Sequence, residues 1–97
     1  MTRAEALSRL KKRQDELRAL GVERLYLFGS TARDEAGESS DVDLFFDHEA
    51  GKIGLYELLD VKECAATILG RPADVLTRGS LHPRLRRRIE DHAVRVF

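Results

Sequence analysis

Apolar positions three or four residues apart open the chain. Leu7, Leu10, Leu17 and Leu20, with Gln14 filling the remaining step, predict an amphipathic helix over residues 3–20 that Gly21 stops. Val22 to Phe28 then reads as a strand, and Leu25-Tyr26-Leu27-Phe28 is apolar on both faces, as in a central covered strand. Gly29 and Ser30 end it, with Ser30 placed to cap a short helix over residues 31–36. After a polar turn from Gly37 to Ser40, Asp41 to Asp47 predicts a second strand, its apolar positions being Val42, Leu44, Phe45 and Phe46. Gly51 to Gly54 breaks the chain before a helix marked by Leu55, Leu58, Leu59, Ala65, Ala66 and Leu69, closed by Gly70 and Arg71-Pro72. Ala73 to Thr77 predicts a third strand. Leu81, Leu85, Ile89 and Ala93 recur every four residues behind a Ser80 cap, with Pro83 in the first turn of a last helix. The order helix, strand, short helix, strand, helix, strand, helix predicts a single α/β (α+β) domain over residues 1–97. It is expected to hold a small mixed sheet of three or more strands flanked by helices.

Composition narrows this picture. With 97 residues, 42% hydrophobic and 35% charged, the chain has the length and make-up of one globular domain. The longest apolar run is four residues, too short to span a membrane, and the start leads into an amphipathic pattern rather than a signal peptide. Cys64 is the one cysteine, so neither an intrachain disulfide nor a cysteine zinc cluster is available, and a cytoplasmic location is expected. Seventeen basic and seventeen acidic side chains cancel overall but not locally. Residues 1–33 hold eight basic and four acidic groups (+4), residues 34–51 seven acidic and none basic (−7), and residues 52–97 nine basic and six acidic (+3). An acidic centre between basic arms suits a solvated loop or a site that receives a cation.

The candidate chemistry falls within that acidic centre. Asp41 and Asp43, two apart on a strand, project from one face with Cα atoms about 6.5–7 Å apart. Leaning together, such carboxylates bridge two divalent ions; left alone on a strand rich in Phe and Leu, they repel. An isolated pair of this kind is more often two surface acids. Gly29-Ser30 changes the balance, because a glycine directly after a buried strand lets backbone N–H groups approach an anion and Ser30 adds a hydroxyl donor. Asp74, on the third strand, would be a third carboxylate able to complete one metal's shell and help deprotonate an attacking hydroxyl.

Leu27-Phe28-Gly29-Ser30-Thr31-Ala32-Arg33, ten residues between Ser30 and Asp41, and then Ser40-Asp41-Val42-Asp43-Leu44 resemble the G-S-x10-D-x-D signature of the DNA polymerase beta superfamily of nucleotidyltransferases. The chain is most similar to the minimal nucleotidyltransferase (MNT) antitoxins, over nearly its whole length, including Asp74 and the closing Leu81-His82-Pro83-Arg84-Leu85-Arg86 segment. It departs from them at Asp34, where members commonly carry glycine, which bears on the local loop rather than on the aspartates. The resemblance implies the nucleotidyltransferase fold and Mg²⁺-dependent transfer of AMP from ATP. Gly29 and Ser30, with Arg33 as a further contact, would bind the nucleotide. Asp41, Asp43 and Asp74 would be catalytic and hold two Mg²⁺ ions. It also implies a partner: MNT antitoxins pair with HEPN-domain RNase toxins and AMPylate a toxin tyrosine, so a hetero-oligomer with the toxin is expected.

Length points the same way, since 97 residues leave little room for a template-gripping surface or a second substrate lobe, and the acceptor is expected to bring its own. Two alternatives remain open on the residues: an antitoxin that neutralises by binding alone, and a nucleotidyltransferase acting on a small molecule or an RNA end. Arg84, Arg86, Arg87 and Arg88 have no interleaved aromatics, so a solvated face is expected there and direct nucleic-acid binding is not. His48, His82 and His92 lack paired metal spacing, and Cys64 reads as a small core residue. Tyr26 and Tyr56 read as core and rim packing.

Overall fold

The structure, a computed structural model, describes every residue except Glu38, which lies within the predicted Gly37–Ser40 turn. The amphipathic start folds as two helices, α1 (Arg3–Lys12) and α2 (Gln14–Ala19), rather than the single helix expected. The break falls at Arg13, with φ −116° and ψ 24°. Polar side chains take up the backbone and each other there: Gln14 Nε2 donates to the Lys11 carbonyl at 3.2 Å, and the Arg13 guanidinium pairs with Glu16. Leu10 and Leu17 stay fully buried on either side of the break, so the apolar stripe survives it.

The elements that follow are β1 (Arg24–Phe28), α3 (Gly29–Ala32), β2 (Val42–Asp47), α4 (Leu55–Leu69), β3 (Ala73–Thr77), a 3-10 turn (Arg78–Ser80), α5 (Pro83–His92) and β4 (Val94–Arg95). They form one mixed sheet in the order β3-β2-β1-β4, with β1 antiparallel to β2 and β4, and β2 parallel to β3. The short helix starts earlier than predicted and is capped by extended Phe28, not by a serine side chain. The last helix is capped by His82, whose ring accepts from Arg84 N at 3.2 Å, while Ser80 sits in the preceding 3-10 turn. That helix stops at His92, short of Ala93. Val94 turns back beside β1, and Val96 N donates to the Leu25 carbonyl at 2.7 Å. The resulting fourth strand is two residues long, too short for alternation to reveal it.

Strand alternation divides the sheet into two faces. Leu25, Leu27, Val42, Leu44, Phe46, Ala73 and Val75 meet α1, α2 and α4 in the core, with Ala6, Leu10, Leu17, Val61, Ala65 and Leu69 opposite. The other face carries Tyr26, Phe28 and Phe45, with Tyr26 stacked on Phe45 at 4.8 Å between ring centroids. Burying about seven aliphatic and aromatic sheet side chains at about 1.5–3 kcal/mol each makes the helical face the main source of stability. α4 keeps its predicted bounds and closes on Gly70 in the left-handed region. Val61, Ala65, Ile68 and Leu69 are buried, whereas Leu55 and Leu59, which mark the helix, are 69% and 50% exposed, and Tyr56, read as rim packing, is 80% exposed.

Candidate active site

The two strand pairings gather the sequence-predicted residues at one end of the sheet. Asp43 sits opposite Phe28 across the antiparallel pair and opposite Asp74 across the parallel pair. Val42 and Leu44 point into the core, so Asp43 points to the other face, directly beneath the start of α3. Gly29 makes that approach possible. Its φ is +72°, and a Cβ placed there would overlap the Asp43 carboxylate and lie 3.3 Å from Asp43 Cβ. Any side chain at this position would be both conformationally strained and in collision. The turn after it is stitched by Arg33 N to the Gly29 carbonyl (3.2 Å) and Glu35 N to the Ser30 carbonyl (2.8 Å). The N–H groups of the first turn of α3 have no intrahelical acceptors, and half-buried Ser30 stands among them.

Asp34, the departure from the family pattern, explains itself in this turn. It adopts φ +59°, the left-handed conformation a glycine takes without cost, and its Oδ1 accepts from Arg3 N at 2.8 Å. The aspartate thereby ties the loop to the start of α1.

Asp43 is half-buried, and burial raises its carboxyl above the usual carboxylate range. The neighbouring charges of Asp74 and Asp41 raise it further, while Arg33 pulls it back. Asp74 and Asp41 are exposed, and Asp41 lies just before β2 rather than within it. Among the described residues no three acidic, His or Cys side chains close tightly on one point. The sheet end brings three carboxylates into electrostatic contact without converging them. Such a hard, all-oxygen donor set, with its central member burdened by two like charges, fits a divalent cation of the Mg²⁺ kind.

Two clefts flank the aspartates. One, about 360 Å³, lies between α3 and α5 and is lined by Phe28, Gly29, Arg33, Leu85, Arg88, Ile89 and His92. The other, about 540 Å³, lies between α4 and the β3 edge and is lined by Asp41, Asp74, Pro72, Ala73, Leu59, Lys62, Glu63 and Ala66. Among the described residues Arg33 pairs in the first with Glu35 at 3.0 Å, an exposed ion pair that an incoming anion displaces at little cost. Arg88 and His92 went unrecognised in the sequence, although the spacing of 85, 88, 89 and 92 puts all four on one helix face. Arg88 is exposed, as expected, but borders this cleft, while Arg86 pairs with Glu90 at 3.3 Å and Arg84 and Arg87 are exposed away from it. His82 is exposed and His48 half-buried, and Cys64 packs partly buried against the core.

A glycine turn pressed on a strand aspartate, with further aspartates before and beside it and arginines across the cleft, defines a domain for nucleotidyl transfer. The chain belongs to the nucleotidyltransferase domain family, which matches residues 7–96, and it is an enzyme of that class. A candidate protein adenylyltransferase of Methanocaldococcus jannaschii is 43% identical over 77 residues, which are 79% of this chain and 82% of that one. The protein adenylyltransferase MntA of Thermococcus cleftensis is 35% identical over 82 residues, covering 84% of this chain and 82% of its own. Among solved structures, a candidate minimal nucleotidyltransferase superposes with a TM-score of 0.75 at 32% identity, over 97% of this chain and 95% of the other. An MNT antitoxin solved with a tri-AMPylated Shewanella oneidensis HEPN toxin shares the fold, with a TM-score of 0.67 at 16% identity, over 94% and 71% of the two chains.

Proposed function

We propose that this protein is a Mg²⁺-dependent protein adenylyltransferase and the antitoxin of an MNT/HEPN pair, moving AMP from ATP to a tyrosine hydroxyl of its HEPN toxin. The observation that carries the reading is the fit of Gly29 against Asp43, because only an unsubstituted turn lets a phosphate-holding backbone and a carboxylate meet so closely. The adenylyltransferase relatives and the MNT–HEPN complex support the acceptor and the partner.

In this reading Ser30 and the first-turn N–H groups of α3 hold the β- and γ-phosphates, and Arg33 and Arg88 neutralise them from the two walls of the cleft. Asp41, Asp43 and Asp74 would hold the two Mg²⁺ ions. When bound, these ions stabilise the charge that builds on the entering and leaving oxygens. Asp74 accepts the acceptor's proton as its oxygen bonds to the α-phosphorus. The bond from the α-phosphorus to the bridging oxygen breaks in line, and pyrophosphate leaves along the Arg33–Arg88 side.

The test is incubation with α-labelled ATP, Mg²⁺ and the product of the neighbouring gene, the expected HEPN-domain toxin. Label should appear on a toxin tyrosine and disappear with Asp43→Ala. If Asp43→Ala neutralises the toxin as well as the native protein does, neutralisation is by binding and the catalytic reading is wrong.

A further inference from the structure

α4 carries an apolar stripe that the core does not use. Leu55, Tyr56 and Leu59 are 69%, 80% and 50% exposed, and they are three of the four large hydrophobic side chains so exposed among the described residues. They stand at helical spacing on one face, which continues through Lys62 and Glu63 to Ala66. At its far end the stripe runs into the cleft that Asp41 and Asp74 line from the sheet side. From residue 55 to residue 66 the face extends about 16 Å, far longer than a single small acceptor.

Resting on the adenylyltransferase reading above, we infer that this face of α4 is the docking surface for the acceptor protein, guiding its hydroxyl-bearing segment into the Asp41–Asp74 cleft. Continuity with the site is the first argument. The triphosphate cleft opens on the α3–α5 side of Asp43, so an in-line attack must come from the opposite side, where the stripe ends. Charge is the second. The cleft holds Asp41, Asp74 and Glu63 against Lys62 alone, a surface that repels a phosphodiester backbone and accepts an apolar or basic protein segment. Exposed Leu and Tyr grouped in this way supply the apolar anchors of a protein interface.

The experiment measures the affinity of the purified HEPN-domain partner, without ATP, for the native protein, Leu59→Glu, Leu55→Glu and Arg87→Ala. Both glutamate variants alter exposed positions and leave the core intact. Each should weaken the complex at least about tenfold (about 1.4 kcal/mol), while a fluorescent ATP analogue binds within about twofold of native and Arg87→Ala behaves as native. Label transfer to the partner should fall with the affinity. Native affinity in both glutamate variants overturns the assignment, as does the absence of any complex with the native protein. A native protein that binds the partner but transfers no label refutes the adenylyltransferase reading instead, and the affinity comparison still decides the surface.

Discussion

Gly29 and Asp43 constrain each other. The left-handed backbone at Gly29 costs any L side chain about 1–2 kcal/mol, and the added Cβ would displace the carboxylate below it. Gly29→Ala should therefore lower stability by at least that amount and cut nucleotidyl transfer about 100-fold, because a displacement of about 1 Å at a reacting centre costs that much. Parallel urea melts and single-turnover labelling would check both. Asp43 shows the opposite trade. Its carboxyl is raised by burial and by Asp74 and Asp41, so the native state binds a proton more tightly than the unfolded chain. Its contribution to stability is present below the ordinary carboxylate value and is lost as pH rises through the raised one. Asp43→Asn should consequently raise the Tm at pH 7 while abolishing transfer, and the two proteins should converge in Tm at pH 4. Gly29 and Asp43 were legible in the sequence because each carries a local signal, a glycine after a buried strand and a paired strand aspartate, and the β1–β2 register brings the two together. Arg88 and His92 were not, since their role depends on where α5 lies rather than on which residues it contains.

At the scale of elements, Arg78 ties α5 to the sheet. This guanidinium donates to both oxygens of Asp47 at 2.6 and 3.0 Å, pairs with Glu90 of α5, and lies over the rings of Tyr26 and Phe45 at 4.9 and 5.1 Å. Arg78→Ala should cost about 2 kcal/mol, the worth of a partly buried charged hydrogen bond, and loosen the wall that carries Arg88. The hydrogen bonds from Arg78 hold the Asp47 carboxyl below its usual range. Its stabilisation is present above the ordinary carboxylate value and is lost as pH falls through the lowered one, so Arg78→Ala should flatten that acid limb in unfolding measured from pH 5 to 2. Arg88→Ala should raise the KM for ATP about tenfold with a smaller effect on kcat, whereas Arg87→Ala should match native, a contrast steady-state kinetics would resolve. The elements themselves were largely readable: β3 and α4 have their predicted bounds. The errors share a cause. The break at Arg13, the His82 cap and β4 are decided by a few local hydrogen bonds and a two-residue strand pairing, and periodicity does not register those. The face that α4 buries was not legible, because Leu55 and Leu59 are as apolar as Val61 and Ala65, and only the packing of α1 and α2 selects between them.

For the whole molecule, the sheet order β3-β2-β1-β4 brings Asp41 and Asp43 of the acidic centre to one end of a single layer, with Asp74 added from outside the run, while Asp47 lies at the other end of β2. The +4, −7 and +3 segments are thus not three regions in space, because basic side chains from the first and last thirds, Arg33 and Arg88, face each other beside the acids. A domain built this way concentrates like charge where it most destabilises the fold, and gains most from ligands that cancel it. Saturating ATP with Mg²⁺ at about 100 times its Kd should add about 2.7 kcal/mol of stability, a rise of about 10 °C or more for a chain of this length. Because Asn cannot replace the carboxylate charge, Asp43→Asn should start from a higher Tm yet gain only a small fraction of that increment. Differential scanning of both proteins with and without MgATP tests the coupling. Equal increments in the two would mean that the acidic end of the sheet is not where the nucleotide and its cation are held.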